Sequence, residues 1–179
     1  IAQRYPTAYI DAIEIDKASA DEATSNIMSS TFADNIRVHN ISIEDYAVAS
    51  TRRYDIIITN PPFYEEDTLS PDHRRAKTRH SHFLPLDTLL QLSKSLLSDN
   101  GMIFLIAPYK QKSNLTALVN QYNLHINKQC IVVPKAGKQA HRIMLGIGNN
   151  YGDIAEDILT IRNADNCYTK AYNSLCQAY

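Results

Sequence analysis

Apolar and polar positions alternate along this chain in blocks of strand and helix length. Residues 8–15, Ala-Tyr-Ile-Asp-Ala-Ile-Glu-Ile, read as a strand. Asp16 suits a helix N-cap, and the spacing predicts a helix to about Ser29 with Ala18, Ala23, Ile27 and Met28 toward a sheet. A short second strand covers 36–39, and Ser42 begins a helical turn through Ile43, Glu44, Asp45 and Tyr46. Residues 54–59, Tyr-Asp-Ile-Ile-Ile-Thr, form a β-branched run that reads as a buried strand. The stretch 65–81 is polar and charged without apolar periodicity, as expected of a loop. Leu86, Leu89, Leu90, Leu96 and Leu97 form the apolar stripe of a helix over 84–97, which Asp99-Asn100-Gly101 should end. A buried strand over 102–107 and a helix over 113–122 follow. Residues 124–133 and 141–148 then read as two strands, and the linker 134–140 is too short for a crossover helix, so they should pair antiparallel. A short strand over 158–161 and a helix over 168–178 complete the chain, which has no internal repeat.

Strand and helix alternate until the last hairpin. The implied fold is α/β, a doubly wound and mostly parallel sheet ending in an antiparallel strand. In open sheets of this kind, ligands bind beyond the carboxyl ends of the strands. Asn60-Pro61-Pro62-Phe63 stands at such an end. The residue before a proline is forced into an extended conformation, so Asn60 is held in place. Two successive prolines stiffen the turn and leave it without backbone donors there. The Asn60 side-chain oxygen and the Pro61 carbonyl can each accept one hydrogen of a planar NH2 group. Phe63, with Tyr64 beside it, can stack on the flat face.

Asn-Pro-Pro-Phe after a hydrophobic strand resembles the signature of S-adenosylmethionine-dependent amino-methyltransferases. In that class the motif reads Asn, Asp or Ser, then Pro-Pro, then Tyr, Phe or Trp. It marks enzymes acting on the exocyclic amine of adenine, the amine of cytosine, or a glutamine amide. The resemblance implies a Rossmann-like class I fold, S-adenosyl-L-methionine as cofactor, and Asn60, Pro61, Pro62 and Phe63 as the catalytic turn, with Asn60 also touching the cofactor.

Composition narrows this picture. The 179 residues suffice for one domain with a sizeable core, here taken as a single catalytic domain over 1–179. A net charge of −1 excludes a globally basic nucleic-acid binder, so any RNA contact must be local. The dense basic run is Asp72-His73-Arg74-Arg75-Ala76-Lys77-Thr78-Arg79-His80, directly after the proline turn. Arg74, Arg75, Arg79 and His80 there can grip phosphates, and a solvated surface loop is the alternative. Arg142, with Lys135 and Lys138, makes a second small basic patch on the closing hairpin. His80 and His82 lack further ligands at zinc-like spacing, so no metal is expected. No apolar run reaches the length of a membrane span. The three cysteines form no CxxC pair, which favours a reducing cytoplasm.

All five glycines lie at or after Gly101. A nucleotide-type site needs a glycine-rich turn after its first strand, and an acid about 20 positions later to hold the ribose hydroxyls. Glu14 is the natural acid, and counting back from it runs off the start of the sequence. The expectation is therefore a domain whose first strand and glycine loop are not in this chain, the alternative being a complete chain that binds no cofactor. In the resembled class an Asp after the second strand meets the adenine of the cofactor. Ser42 takes that place here, with Ile43 beside it, and a helix cap by Ser42 is the competing use.

The whole chain is similar to the bacterial tRNA (adenine-N6)-methyltransferase family acting beside the anticodon of valine tRNA. The stretches that carry this are 11–14, 58–64, Arg79-His80, His141-Arg142, and 159–162 before Tyr168. The resemblance implies tRNA as partner, with Tyr64, Arg74, Arg75, Arg79, His80 and Arg142 as substrate contacts. A protein-glutamine N-methyltransferase shares the planar NH2 substrate and is the alternative within the class. A non-catalytic nucleic-acid-binding domain is the alternative outside it.

Overall fold

Strand β1 (Ile10–Glu14) pairs in parallel with β2 (Ile36–Asn40), from Ile10↔Ile36 to Glu14↔Asn40. Between them lies helix α1 (Lys17–Met28), started by Asp16 in an extended conformation whose carboxylate accepts the Ser19 N–H at 2.8 Å. A cap of this kind contributes about 1 kcal/mol. These coordinates come from a computed structural model that describes residues 1–61 and 84–177. The expected loop over 65–81, with Pro62, Phe63, Tyr64, Arg74, Arg75, Arg79, His80 and His82, lies outside the described residues.

The face that α1 buries differs from the expected one. Ala20 is buried and Ala23 and Ile27 are half-buried, whereas Ala18 is exposed and Met28 is 69% exposed. The stripe runs 20, 23, 27, a better i, i+3, i+7 series than one drawn through Ala18 and Met28. Helix α2 (Ile43–Ala49) is longer than the expected turn, and its Tyr46 is buried. The Tyr46 ring lies 5.1 Å from the ring of His39. His39 Nε2 in turn lies 2.7 Å from Asp11 Oδ1, and the Asp11 side chain is 8% exposed. That pair ties β2 to β1.

The chain divides into two compact units, Ile1–Thr51 and Arg52–Tyr179. The second holds β3 (Tyr54–Thr59), α3 (Leu86–Leu96), β4 (Leu97–Pro108), a 3-10 turn (Tyr109–Gln111) and α4 (Lys112–Gln121). It continues with β5 (His125–Lys135), β6 (Arg142–Gly148), β7 (Ala155–Arg162) and α5 (Lys170–Cys176). The five strands are ordered β3-β4-β6-β5-β7. β3 pairs β4 and β5 pairs β7 in parallel, while β6 runs antiparallel between β4 and β5. The expected antiparallel hairpin is present, and its turn uses Gly137 at φ 78, a left-handed conformation that suits glycine. The final strand extends well beyond the expected 158–161, since its ladder with β5 runs from Lys128↔Ala155 to Lys135↔Arg162.

One face of this sheet carries the core. Ile103, Leu105 and Ala107 of β4 stand in register with Ile147, Leu145 and Ile143 of β6, and all six are buried. Leu90 of α3 and Leu115 and Val119 of α4 close over them, with Leu97 and Leu124. A fully buried Leu or Ile contributes about 1.5–3 kcal/mol. β3 is not the buried strand expected from its composition. Ile57 packs on the core, but Ile56 and Ile58, which alternate to the other face of the strand, are each 56% exposed.

The end of α3 also departs from expectation. Leu97 is not helical but extended, at φ −79 and ψ 138, and opens β4. Asp99, Asn100 and Gly101 lie inside that strand. Tyr54 pairs with Leu97 and Ile56 with Met102, so residues 98–101 bulge where β3 has Asp55 alone. Ser98 Oγ donates to Asp55 Oδ1 at 2.9 Å, and the Asn149 amide donates to Ser98 O at 3.2 Å, which fixes the bulge. Asp-Asn-Gly has the chemistry of a helix stop and of a bulge alike.

Candidate active site

Asn60 follows β3 directly, one residue beyond the Thr59↔Leu105 pair, and its side chain is exposed. Pro61 is half-buried behind it. The β-branched run 54–59 delivers the amide to the carboxyl edge of the sheet, and Pro61 holds Asn60 in the extended region. An exposed amide on a fixed backbone can take a partner from outside without breaking a bond inside.

The same edge continues through β4 to β6. Pro108 at the end of β4 pairs with Arg142 at the start of β6, and Arg142 also pairs with Val132 of β5. Tyr109 N–H donates to His141 O at 3.1 Å, and His141 N–H to Val132 O at 2.9 Å. The Arg142 side chain folds back so that Nη1 donates to His141 O at 3.3 Å. The fold thus brings Asn60 and Arg142 to one sheet edge with β4 between them.

In the first unit, Glu14 ends β1 and is half-buried. Its Oε1 accepts the Asp16 N–H at 2.8 Å, while the Asn40 amide donates to Glu14 O and Ile15 O, each at 3.0 Å. The Asp16 bond orients the carboxylate, and the Asn40 bonds hold its backbone at the carboxyl edge of the β1–β2 pair. Ser42 follows β2 at that edge, and its Oγ accepts the Asp45 N–H at 3.0 Å as the α2 cap. Ile43 is the first residue of that helix. Among the described residues no three His, Cys, Asp or Glu side chains cluster to hold a metal, and no helix is long and apolar enough to cross a membrane.

Two features lay beyond the sequence reading. Asp11 and His39 meet only because β1 and β2 pair in one register. Arg162 and Tyr168 meet across a turn, with the Arg162 guanidinium carbon 4.1 Å from the Tyr168 ring centroid.

Residues 1–134 match the model of the family "Methyltransferase small domain". Across all 179 residues the chain is 30% identical to a tRNA1(Val) (adenine(37)-N6)-methyltransferase of Flavobacterium psychrophilum, covering 76% of that protein. It is 31% identical to the protein of the same description from Cronobacter sakazakii, covering all of this chain and 74% of that protein. The chain belongs to the methyltransferase small domain family and, within it, to the group of these two relatives. Among solved structures, this methyltransferase resembles a predicted O-methyltransferase of Agrobacterium tumefaciens with a TM-score of 0.74. That match covers 97% of this chain and 79% of the other at 13% identity, a likeness of fold alone. The methyltransferase spans about three quarters of the length of the curated relatives it matches.

Proposed function

We propose that this methyltransferase carries a methyl group from S-adenosylmethionine to the exocyclic N6 amine of an adenine in tRNA, the one beside the anticodon of valine tRNA, in the cytoplasm. One observation carries the chemistry. Asn60 stands exposed at the carboxyl end of β3 with Pro61 fixed behind it, in a chain that belongs to a methyltransferase family.

The residues present suit the cofactor. Glu14 offers a half-buried carboxylate held by the Asp16 N–H, on a backbone that the Asn40 amide fixes, the acceptor that a ribose diol requires. Ser42 and Ile43 stand at the same strand edge for the adenine ring. The cofactor, when bound, supplies a methyl group on a positively charged sulfur.

The protein's own part is positioning. An aromatic amine has its lone pair delocalised into the ring. Asn60 Oδ1 and the Pro61 carbonyl oxygen would each accept one amine hydrogen, and the nitrogen becomes pyramidal with its lone pair directed outward. Holding two reacting atoms in line supplies much of the acceleration. The nitrogen gains a carbon and sheds one proton to solvent, so no catalytic base is needed. The target base must leave its stack, and Phe63 and Tyr64 are assigned to replace the lost stacking. Arg74, Arg75, Arg79, His80 and Arg142 are assigned to the tRNA backbone.

Asn60→Ala tests this assignment. Removing one positioned polar group that acts in the transition state costs about 3 kcal/mol, or about 10²–10³ in rate. Single-turnover methylation of an unmodified valine tRNA transcript by the full-length protein should fall by that factor, with an unchanged thermal melt. Asn60→Asp keeps an acceptor at the same place and should retain part of the rate. Wild-type turnover by Asn60→Ala would remove the turn from the active site.

A further inference from the structure

The carboxyl edge of the five-stranded sheet runs on past Arg142 to a cluster that the proposed chemistry leaves unused. At the far strand, Lys135 of β5 and Arg162 of β7 are register partners, so their side chains leave the same face. Lys138 sits exposed in the β5–β6 turn, where its N–H donates to Lys135 O at 2.9 Å. Beyond Arg162, residues 163–167 form a tight turn. Asn163 N–H donates to Cys167 O at 2.9 Å, and Asn166 takes a left-handed φ of 67. The Arg162 guanidinium donates to Asn166 O at 2.6 Å and lies over the Tyr168 ring. Tyr168 stacks on Tyr172 with centroids 4.9 Å apart and planes 23° from parallel, and it is 48% exposed. Thr169 anchors the assembly through a 2.6 Å bond from its hydroxyl to Thr160 O.

Lys170 adds another cation. It is the first residue of α5 and is exposed beside the Tyr168–Tyr172 stack in sequence. Neither of the two ion pairs among the described residues involves Lys135, Lys138 or Lys170. Their charge is therefore available to a partner. The acidic residues of β7, Glu156 and Asp157, lie near its opposite end, and Asp165 is the acid of the turn itself.

We propose that this ledge, made of Lys135, Lys138, Arg162, Lys170 and the Tyr168–Tyr172 stack, is a second RNA-docking surface. It would hold the strand that leads away from the target adenine. This rests on the tRNA reading above. Four inter-strand steps of about 4.8 Å place β7 about 19 Å from β3 and Asn60, the span of several nucleotides at about 3.4 Å each. The lysines neutralise phosphates. The Arg162–Tyr168–Tyr172 stack is extended by an unpaired base, as aromatic and guanidinium planes do on single-stranded loops. A preformed stack loses little entropy on binding.

Equilibrium binding of an unmodified valine tRNA transcript to the full-length protein, measured against salt, tests the ledge without recourse to activity. The triple variant Lys135→Glu, Lys138→Glu, Lys170→Glu alters exposed or half-exposed cations and should melt like wild type. It should bind at least about tenfold more weakly at low salt, with a log–log salt slope smaller by about two to three, since each lost phosphate contact removes about 0.7 to 0.9. Tyr172→Ala should raise KM for tRNA more than it lowers kcat. A folded triple variant that binds with wild-type affinity and slope overturns the ledge even if wild type methylates tRNA. If wild type binds tRNA through these lysines but transfers no methyl group, the ledge stands and the proposed function fails.

Discussion

Exposure separates the roles of individual side chains. Asn60 is open at its strand end, whereas Cys130 in β5 is half-buried. Burial pushes the Cys130 thiol up, the charge of Asp157 pushes it further, and a backbone hydrogen bond from Leu159 opposes both. The fold therefore favours the protonated form. Any stability this lends is complete below the ordinary thiol range and falls away as pH rises through the raised value. The thiolate is the nucleophile, so Cys130 should alkylate more slowly than exposed Cys167 between about pH 7 and pH 8.5. Mass-resolved labelling with iodoacetamide checks this, and faster labelling of Cys130 would contradict it. At this scale the sequence is legible where chemistry is local. Asp16 and Ser42 cap helices as their positions suggest, because a cap needs only the next three residues. Asp11–His39 and Arg162–Tyr168 are illegible for the opposite reason, since each depends on how the chain folds back on itself.

Elements were legible in kind and less so in their ends. The hairpin β5–β6 follows from two apolar runs and a linker too short for a helix. The end of α3 does not follow, because Asp99-Asn100-Gly101 carries the same residues that stop a helix and that make a bulge. The bulge explains the glycine. A Cβ at Gly101 would lie 2.6 Å from the Tyr54 carbonyl oxygen, a backbone atom that cannot swing aside. Gly101→Ala should cost about 1–3 kcal/mol in a urea unfolding series, with the β3–β4 pairing as the part that gives. A neutral Gly101→Ala would mean that the bulge is not the tight junction described.

At the scale of the molecule, the α/β class was readable because apolar blocks of strand length alternate with helical stripes over most of the chain. The insertion of β6 between β4 and β5 was not, since periodicity gives strands but no spatial order. That insertion has a functional consequence. It brings Arg142 to the same edge as Asn60 and carries the basic ledge onward to Arg162, so a chain of net charge −1 still presents local cations. A planar NH2 group is common to adenine and to a glutamine amide, and the Asn60 turn alone suits either. The central claim is therefore tested by the product. Full-length protein is incubated with methyl-labelled S-adenosylmethionine and an unmodified valine tRNA transcript, and the RNA is digested to nucleosides and analysed by mass spectrometry. The expected result is labelled N6-methyladenosine, confined to the adenine beside the anticodon and lost when that adenine is replaced. Label absent from RNA, or found on a protein glutamine instead, would contradict the account.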